Sequence, residues 1–187
     1  KEEVYQDKEQ FKQDIIVAYQ KAIQAFYDAG CRYLQLDDTS WADLFSAEGH
    51  EKLRAKGLDP AEELKLMQQM INESIAKKPE DLTVTMHICR GNYKSNYFTS
   101  GGYDYASEVI FGGLNVDGLF LEFDDERSGS FEPLKYVNRT NLKIVLGLIT
   151  SKAGELEDKE KIKARIQEAA TYVPLEQLCL SPQCGFS

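Results

Sequence analysis

The sequence lacks the features that would direct the chain to a membrane or to nucleic acid. No apolar stretch approaches the roughly 18 residues that a membrane-spanning helix needs. Positive charge is scarce, because 22 lysines and arginines stand against 31 aspartates and glutamates, which gives a net charge of −9. Nucleic acids and anionic lipids both require a basic face on a protein, so we expect neither as a partner.

Cysteine is also scarce: there are four, and no two are spaced as Cys-x-x-Cys. A chain of 187 residues is too long to be a small disulfide scaffold, so we expect reduced thiols and a cytoplasmic location. Cys31 and Cys179 lie in strand-like runs and are expected to be buried as small apolar residues. Because the chain starts at Lys1 and stops at Ser187, we expect a single domain that is part of a longer polypeptide.

Segments with helical and strand patterns alternate along the chain. The patterns predict helices at residues 8–29, 60–77, 103–111 and 155–172, and strands at residues 31–37, 82–88, 116–123, 141–149 and 175–181. Asp59 followed by Pro60 is typical of a helix start and begins the second helix. Strands separated by helices imply a parallel sheet with right-handed crossovers.

Two α/β architectures fit this order, a doubly wound open sheet and part of a (β/α)8 barrel. No Gly-x-Gly-x-x-Gly or phosphate-loop pattern supports a nucleotide-binding open sheet. A barrel carries its chemistry at the C-terminal ends of several strands, which is where polar residues gather in this sequence. A complete barrel needs about 250 residues. Five strands therefore predict an incomplete TIM barrel made of its last five strand–helix units.

Four residues at predicted strand ends form a candidate metal site. His87 and Cys89 end the second strand, and side chains two apart on a strand point the same way. Glu122 ends the apolar third strand, where an unpaired carboxylate is costly to bury. Cys184 lies in a Pro-x-Cys-Gly turn after the last strand. Each residue alone has an ordinary structural explanation, but their joint placement favours zinc, which takes nitrogen, sulfur and carboxylate ligands.

Other polar segments give weaker signals. The acidic residues of segment 124–126 follow Glu122, and any of them is an alternative ligand, although segment 124–127 is more typical of a solvated loop. The glycine- and aromatic-containing segment 91–103 is either a substrate loop or an ordinary surface loop. We assign no role to His50, the second of the two histidines.

With these residues assembled, the chain resembles the C-terminal catalytic barrel of the cobalamin-independent methionine synthase family, and in particular its short, single-barrel relatives. The resemblance implies that His87, Cys89, Glu122 and Cys184 bind one Zn²⁺. It also implies that Asp37 contacts the amino group of homocysteine. Around Asp37 the match is partial, because the Asp-Glu-Pro of the family reads Asp37-Asp38-Thr39 here.

The resemblance implies a function, zinc-dependent transfer of a methyl group from a folate-like donor to homocysteine, which gives methionine. One departure affects the donor and the proton route, because segment 147–151 lacks the histidine that the family carries there. Alternatives are alkyl transfer to another thiol, such as coenzyme M, or a barrel fragment without catalysis. Two unpaired sheet edges would then favour association with other chains, and the isolated fragment is expected to be inactive.

Overall fold

A computed structural model describes residues 4–5 and 7–185 and contains one five-stranded sheet. The strands are β1 (Tyr33–Asp38), β2 (Thr83–Ile88), β3 (Gly118–Glu122), β4 (Lys143–Ile149) and β5 (Leu178–Pro182). Every neighbouring pair is parallel. The predicted α/β fold with five parallel strands is therefore confirmed.

The order of the strands separates the two predicted architectures. Neighbours in the sheet follow chain order from β1 to β5 without a reversal. A doubly wound sheet reverses its strand order at a switch point, whereas a barrel adds each strand beside the previous one. The sheet is thus a sector of a barrel, and β1 and β5 are its two edges.

Four α-helices accompany the sheet within the described residues: α1 (Lys8–Asp28), α2 (Ala47–Ala55), α3 (Pro60–Ile75) and α4 (Lys159–Ala169). Asp59 caps α3 by accepting hydrogen bonds from the backbone amides of Ala61 and Glu62, as its position before Pro60 predicts. No helix in the described part of the chain is long and apolar enough to cross a membrane.

Two predicted helices differ from the structure, and one helix was missed. The segment predicted as a helix at 103–111 is a 3₁₀ turn, Asp104–Ala106, followed by a π-helical stretch, Glu108–Gly113. The last helix starts at Lys159 rather than at residue 155, because Asp158 caps it by accepting a hydrogen bond from the Lys161 amide at 2.9 Å. The missed helix α2 follows a 3₁₀ turn, Ser40–Leu44, whose Trp41 is fully buried.

The core lies between the helices and one face of the sheet. Alternate residues of the three central strands form that face and are almost completely buried: Val84, Met86, Ile88, Leu119, Leu121, Ile144, Leu146 and Leu148. The edge strands are more open, with Tyr33 on β1 55% exposed and Leu180 on β5 49% exposed. The prediction that Cys179 is buried is wrong, because it lies on edge strand β5 and is exposed, while Cys31 is partly buried.

Candidate metal centre

The imidazole of His87 is held by one nitrogen and free at the other. His87 lies on β2 beside Phe120 of β3, and its Nδ1 is 3.1 Å from the Phe120 carbonyl oxygen. A carbonyl only accepts hydrogen bonds, so Nδ1 carries the proton and Nε2 keeps a lone pair. Nε2 is buried and has no hydrogen-bond partner among the described residues. A buried nitrogen of this kind is suited to bind a metal, and the hydrogen bond at Nδ1 orients the ring.

The two cysteines face each other across the rim of the sheet. The Sγ atoms of Cys89 and Cys184 lie 3.5 Å apart. The Gly91 amide donates to Cys89 Sγ at 3.2 Å, which fixes the sulfur at the start of the loop after β2.

The turn that carries Cys184 is anchored by its neighbour Gln183. The Gln183 amide donates to the Ile149 carbonyl at 2.8 Å, and its side-chain Nε2 donates to Ser151 Oγ at 2.7 Å. Gly147 permits this approach, because a Cβ atom there would lie 2.6 Å from Gln183 Cα. The role of Ser151 and Gln183 in holding the turn was not predictable from sequence, since both contacts depend on how β4 and β5 meet.

Glu122 is completely buried and receives hydrogen bonds at both carboxylate oxygens. The backbone amide of Arg90 donates to Oε1 at 2.6 Å, and Arg127 Nη1 donates to Oε2 at 3.2 Å. The prediction that segment 124–127 is a solvated loop is wrong for two of its residues. The side chains of Asp124 and Arg127 are 0% and 7% exposed, because the guanidinium binds Asp124 as well as Glu122.

The four candidate ligands converge. One ligand atom from each of His87, Cys89, Glu122 and Cys184 lies within 4.8 Å of the others. The unpartnered Nε2, the paired sulfurs and a buried carboxylate together give a nitrogen, sulfur and oxygen donor set suited to a single metal ion. The described residues therefore fit a metal.

The electrostatics of the cluster favour one thiolate without a metal. The hydrogen bond with the Cys89 thiol, followed by interaction with His87, lowers the pKa of Cys184 to about 4. That same bond and burial raise the pKa of Cys89 well above its usual value. Burial alone would lower the pKa of His87, but its interactions with Cys184 and Asp37 outweigh burial and raise it. A metal bound by both sulfurs must therefore displace the proton of Cys89.

Asp37 lies next to this cluster on the open side of the sheet. It ends edge strand β1 in register with His87, and its charge contributes to the raised pKa of that histidine. Asp37 is exposed. Asp38 is partly buried, and its carboxylate accepts hydrogen bonds from the Ser40 amide and hydroxyl. Asp37, and not Asp38, is therefore exposed beside the candidate ligand His87.

The end of β4 carries no imidazole but brings a lysine near the site. Lys152 Nζ is 3.3 Å from both the Gly91 carbonyl and Asn92 Oδ1. His50 lies elsewhere. Its ring packs at a tilt against Tyr105, its Nε2 is 3.1 Å from the Leu44 carbonyl oxygen, and it makes none of the contacts of the cluster.

Comparison with known sequences identifies the relatives of the chain. The family described as "Cobalamin-independent synthase, Catalytic domain" matches residues 2–187. The uncharacterized protein YxjH of Bacillus subtilis is 59% identical over 184 residues, which are 98% of this chain and 49% of that protein. A methionine synthase of Pyrococcus furiosus is 25% identical over 183 residues, which are 98% of this chain and 45% of that protein. The chain spans about half the length of the curated relatives it matches.

Solved structures give the same result. A Listeria monocytogenes protein assigned as a vitamin-B12-independent methionine synthase is 56% identical, with a TM-score of 0.80 over 97% of this chain and 50% of its own. A B12-independent methionine synthase from Shewanella, solved with selenomethionine, shares the fold at 17% identity, with a TM-score of 0.61 over 89% of this chain and 45% of its own. By sequence and by fold, this chain belongs to the cobalamin-independent synthase family and corresponds to its catalytic domain.

Proposed function

We propose that the chain supplies the metal-binding part of an active site that methylates the thiol of homocysteine to give methionine. His87, Cys89, Glu122 and Cys184 would hold one Zn²⁺. The observation that carries this proposal is the convergence of four donor atoms within 4.8 Å of one another, one of them a buried imidazole nitrogen without a hydrogen-bond partner among the described residues. Membership of the cobalamin-independent synthase family supports the reaction class.

Zinc bound at this centre would lower the pKa of a substrate thiol, so that the sulfur is a nucleophilic thiolate at neutral pH. Two thiolates and one carboxylate give the site a formal charge near −1 with the metal present. Such an electron-rich donor set withdraws little electron density from a substrate sulfur. The residues of the chain therefore favour nucleophilic attack by sulfur over polarisation of a carbonyl group.

The side chains around the centre position the reactants. We assign Asp37 to the ammonium group of homocysteine, because its exposed carboxylate lies beside His87 and can make a charge-assisted hydrogen bond. The hydrogen bond from His87 Nδ1 to Phe120 fixes the plane of the imidazole. The Arg90 amide and Arg127 hold Glu122 and offset part of its negative charge.

The methyl donor in this proposal is a molecule of the 5-methyltetrahydrofolate type. The methyl carbon moves from the donor to the sulfur, and the donor leaves with the electron pair of the broken bond and takes up a proton. No histidine ends β4 to supply that proton, since segment 147–151 reads Gly-Leu-Ile-Thr-Ser. The proton therefore comes from another group or from solvent.

A second candidate is alkyl transfer to a different thiol, such as coenzyme M. The missing histidine after β4 favours it, because the proton route of the methionine synthases is altered. Asp37 favours homocysteine, because coenzyme M carries no amino group for a carboxylate to bind. A third possibility is that residues 1–187 alone have no activity, since the chain spans about half the length of its relatives.

The test uses the intact protein and measures two quantities. We expect about one zinc per chain by elemental analysis, and S-methylation of homocysteine with 5-methyltetrahydrofolate as donor. Methylation of coenzyme M with equal or greater efficiency would refute homocysteine as the substrate and support the second candidate. Protein that neither retains zinc after purification nor takes it up afterwards would refute the metal centre itself.

A further inference from the structure

The carboxylate of Glu122 is fixed by two arginines that also hold one loop. Arg90 reaches Oε1 through its backbone amide, and its guanidinium donates to the Gly101 carbonyl at 2.7 and 2.9 Å. Arg127 reaches Oε2 through its side chain, and its own carbonyl accepts from the Gly101 amide at 2.9 Å. Gly101, in the loop that follows β2, therefore joins the two groups that define the orientation of Glu122.

Arg127 is held by more contacts than a simple ion pair requires. Its guanidinium binds Glu122, Asp124 and Asp125 at 3.0 to 3.3 Å, and the ring of Tyr97 covers it at 4.7 Å. The planar guanidinium can engage several carboxylates at once in a fixed geometry, which an ammonium group cannot do. Asp124, Asp125 and Tyr97 thus hold the guanidinium in addition to Glu122.

Building on the metal centre proposed above, we propose that Arg127 is a positioning residue that sets how Glu122 presents its carboxylate to the metal. Arg127 holds Oε2 while the rigid backbone amide of Arg90 holds Oε1, so the plane of the carboxylate is fixed. Tyr97 stabilises the guanidinium from the side of the loop.

Loss of Arg127 would act on the metal through Glu122. Oε2 would become a buried oxygen without a donor, which is costly, and the carboxylate would rotate towards other partners. Partners that orient a metal ligand typically change metal affinity by about 10- to 100-fold when they are removed. A residue with a purely structural role would lower the stability of the fold without changing the coordination of the metal.

The experiment compares arginine variants in the intact protein by two readouts that do not depend on activity. Chelator competition gives the zinc dissociation constant, and the visible absorption bands of the cobalt(II)-substituted protein report the coordination geometry. We expect Arg127→Gln to raise the dissociation constant by about 10- to 100-fold and to change the cobalt bands. Arg127→Lys keeps the charge but replaces the planar guanidinium with a single ammonium nitrogen, so it should give an intermediate result.

Arg165→Gln is the matched control. Arg165 also lies over an aromatic ring, Phe131, at 4.4 Å, and it makes no contact with Glu122 among the described residues. It should retain the wild-type affinity and cobalt spectrum. If Arg127→Gln does not fold, Tyr97→Leu provides the test, because Tyr97 is 52% exposed and its loss should weaken metal binding in the same direction by a smaller factor.

Two results would overturn the inference, and they differ in what else they affect. If the wild-type protein binds zinc but folded Arg127 variants, or Tyr97→Leu in their place, match its affinity and cobalt spectrum, only the role of Arg127 is refuted. If the wild-type protein binds neither zinc nor cobalt, the metal centre and the role of Arg127 are refuted together.

Discussion

The sulfur atoms of Cys89 and Cys184 lie 3.5 Å apart, although 95 residues separate them in the chain. Cys89 follows β2 and Cys184 follows β5, so the contact spans the rim of the sheet over the ends of β3 and β4. The approach depends on Gly147, next to Glu122 in the β3–β4 register, and on Gln183, which anchors the turn. The candidate ligands thus come from the ends of β2, β3 and β5, and Gly147 of β4 allows them to meet.

The first prediction concerns the role of Cys184. Cys184→Ser replaces a sulfur ligand with a weak hydroxyl ligand, so zinc content should fall well below that of the wild type. Cys179→Ser is the control, because Cys179 lies on β5, just before the turn that carries Cys184, but is exposed and outside the cluster. Elemental analysis after dialysis measures both variants. Wild-type zinc content in Cys184→Ser would disprove the ligand assignment.

The second prediction concerns recognition of the substrate by Asp37. Asp37→Asn removes the negative charge that we assign to the ammonium group of homocysteine. A hydrogen bond between charged groups contributes about 1.5–3 kcal/mol, so KM for homocysteine should rise roughly tenfold to a hundredfold. The comparison thiol is 3-mercaptopropionate, which has no amino group and should react equally with both proteins. An equal change for the two thiols would show that Asp37 does not bind the amino group.

The third prediction concerns Gly147, where β4 meets the turn that carries Cys184. A Cβ atom there would lie 2.5 Å from the Leu121 carbonyl oxygen and 2.6 Å from Gln183 Cα, both of them backbone atoms. Gly147→Ala should therefore lower the free energy of unfolding by about 1–3 kcal/mol and weaken metal binding. Gly154→Ala is the control, because a Cβ at Gly154 meets nothing within 4 Å. Denaturant unfolding and zinc titration measure both effects, and equal stability of the two variants would contradict the prediction.

The fourth prediction concerns the edges of the sheet. β1 and β5 each have one unpaired side in the described structure, and Tyr33 and Leu180 on them are half exposed. Unpaired strand edges recruit other strands, so the 187-residue chain produced alone should associate and exceed its monomer mass of 21.2 kDa in light scattering. Leu180→Lys should reduce the association, because a charged side chain on an edge strand disfavours pairing. A stable wild-type monomer would refute this prediction.

Sequence patterns predicted the strands and their ends well, for a physical reason. Both faces of the central strands are largely buried, so their residues form mostly apolar runs that end in polar residues at the rim. His87, Cys89 and Glu122 were recognisable because each ends such a run. Cys184 was found from its turn sequence together with the family resemblance.

The contacts that orient the ligands were not predictable from sequence. Arg127 lies in a segment of four charged residues that is typical of a solvated loop, and its burial depends on Glu122 and Tyr97 being nearby in space. Helix α2 was missed because its nine residues are strongly polar, and tertiary packing of Leu53 decides its formation. The exposure of Cys179 follows from the position of β5 at an edge, which depends on the pairing of the whole sheet.

The sequential order of the strands also determines when the metal centre can be completed. β5 pairs only with β4 among the described strands, and Cys184 follows it directly. During synthesis, His87 and Cys89 would be available to bind a metal ion long before Cys184 is added to the chain. Binding of the ion by all four ligands would then coincide with the docking of β5 onto β4. Removal of the metal by a chelator should therefore increase hydrogen exchange first in β5.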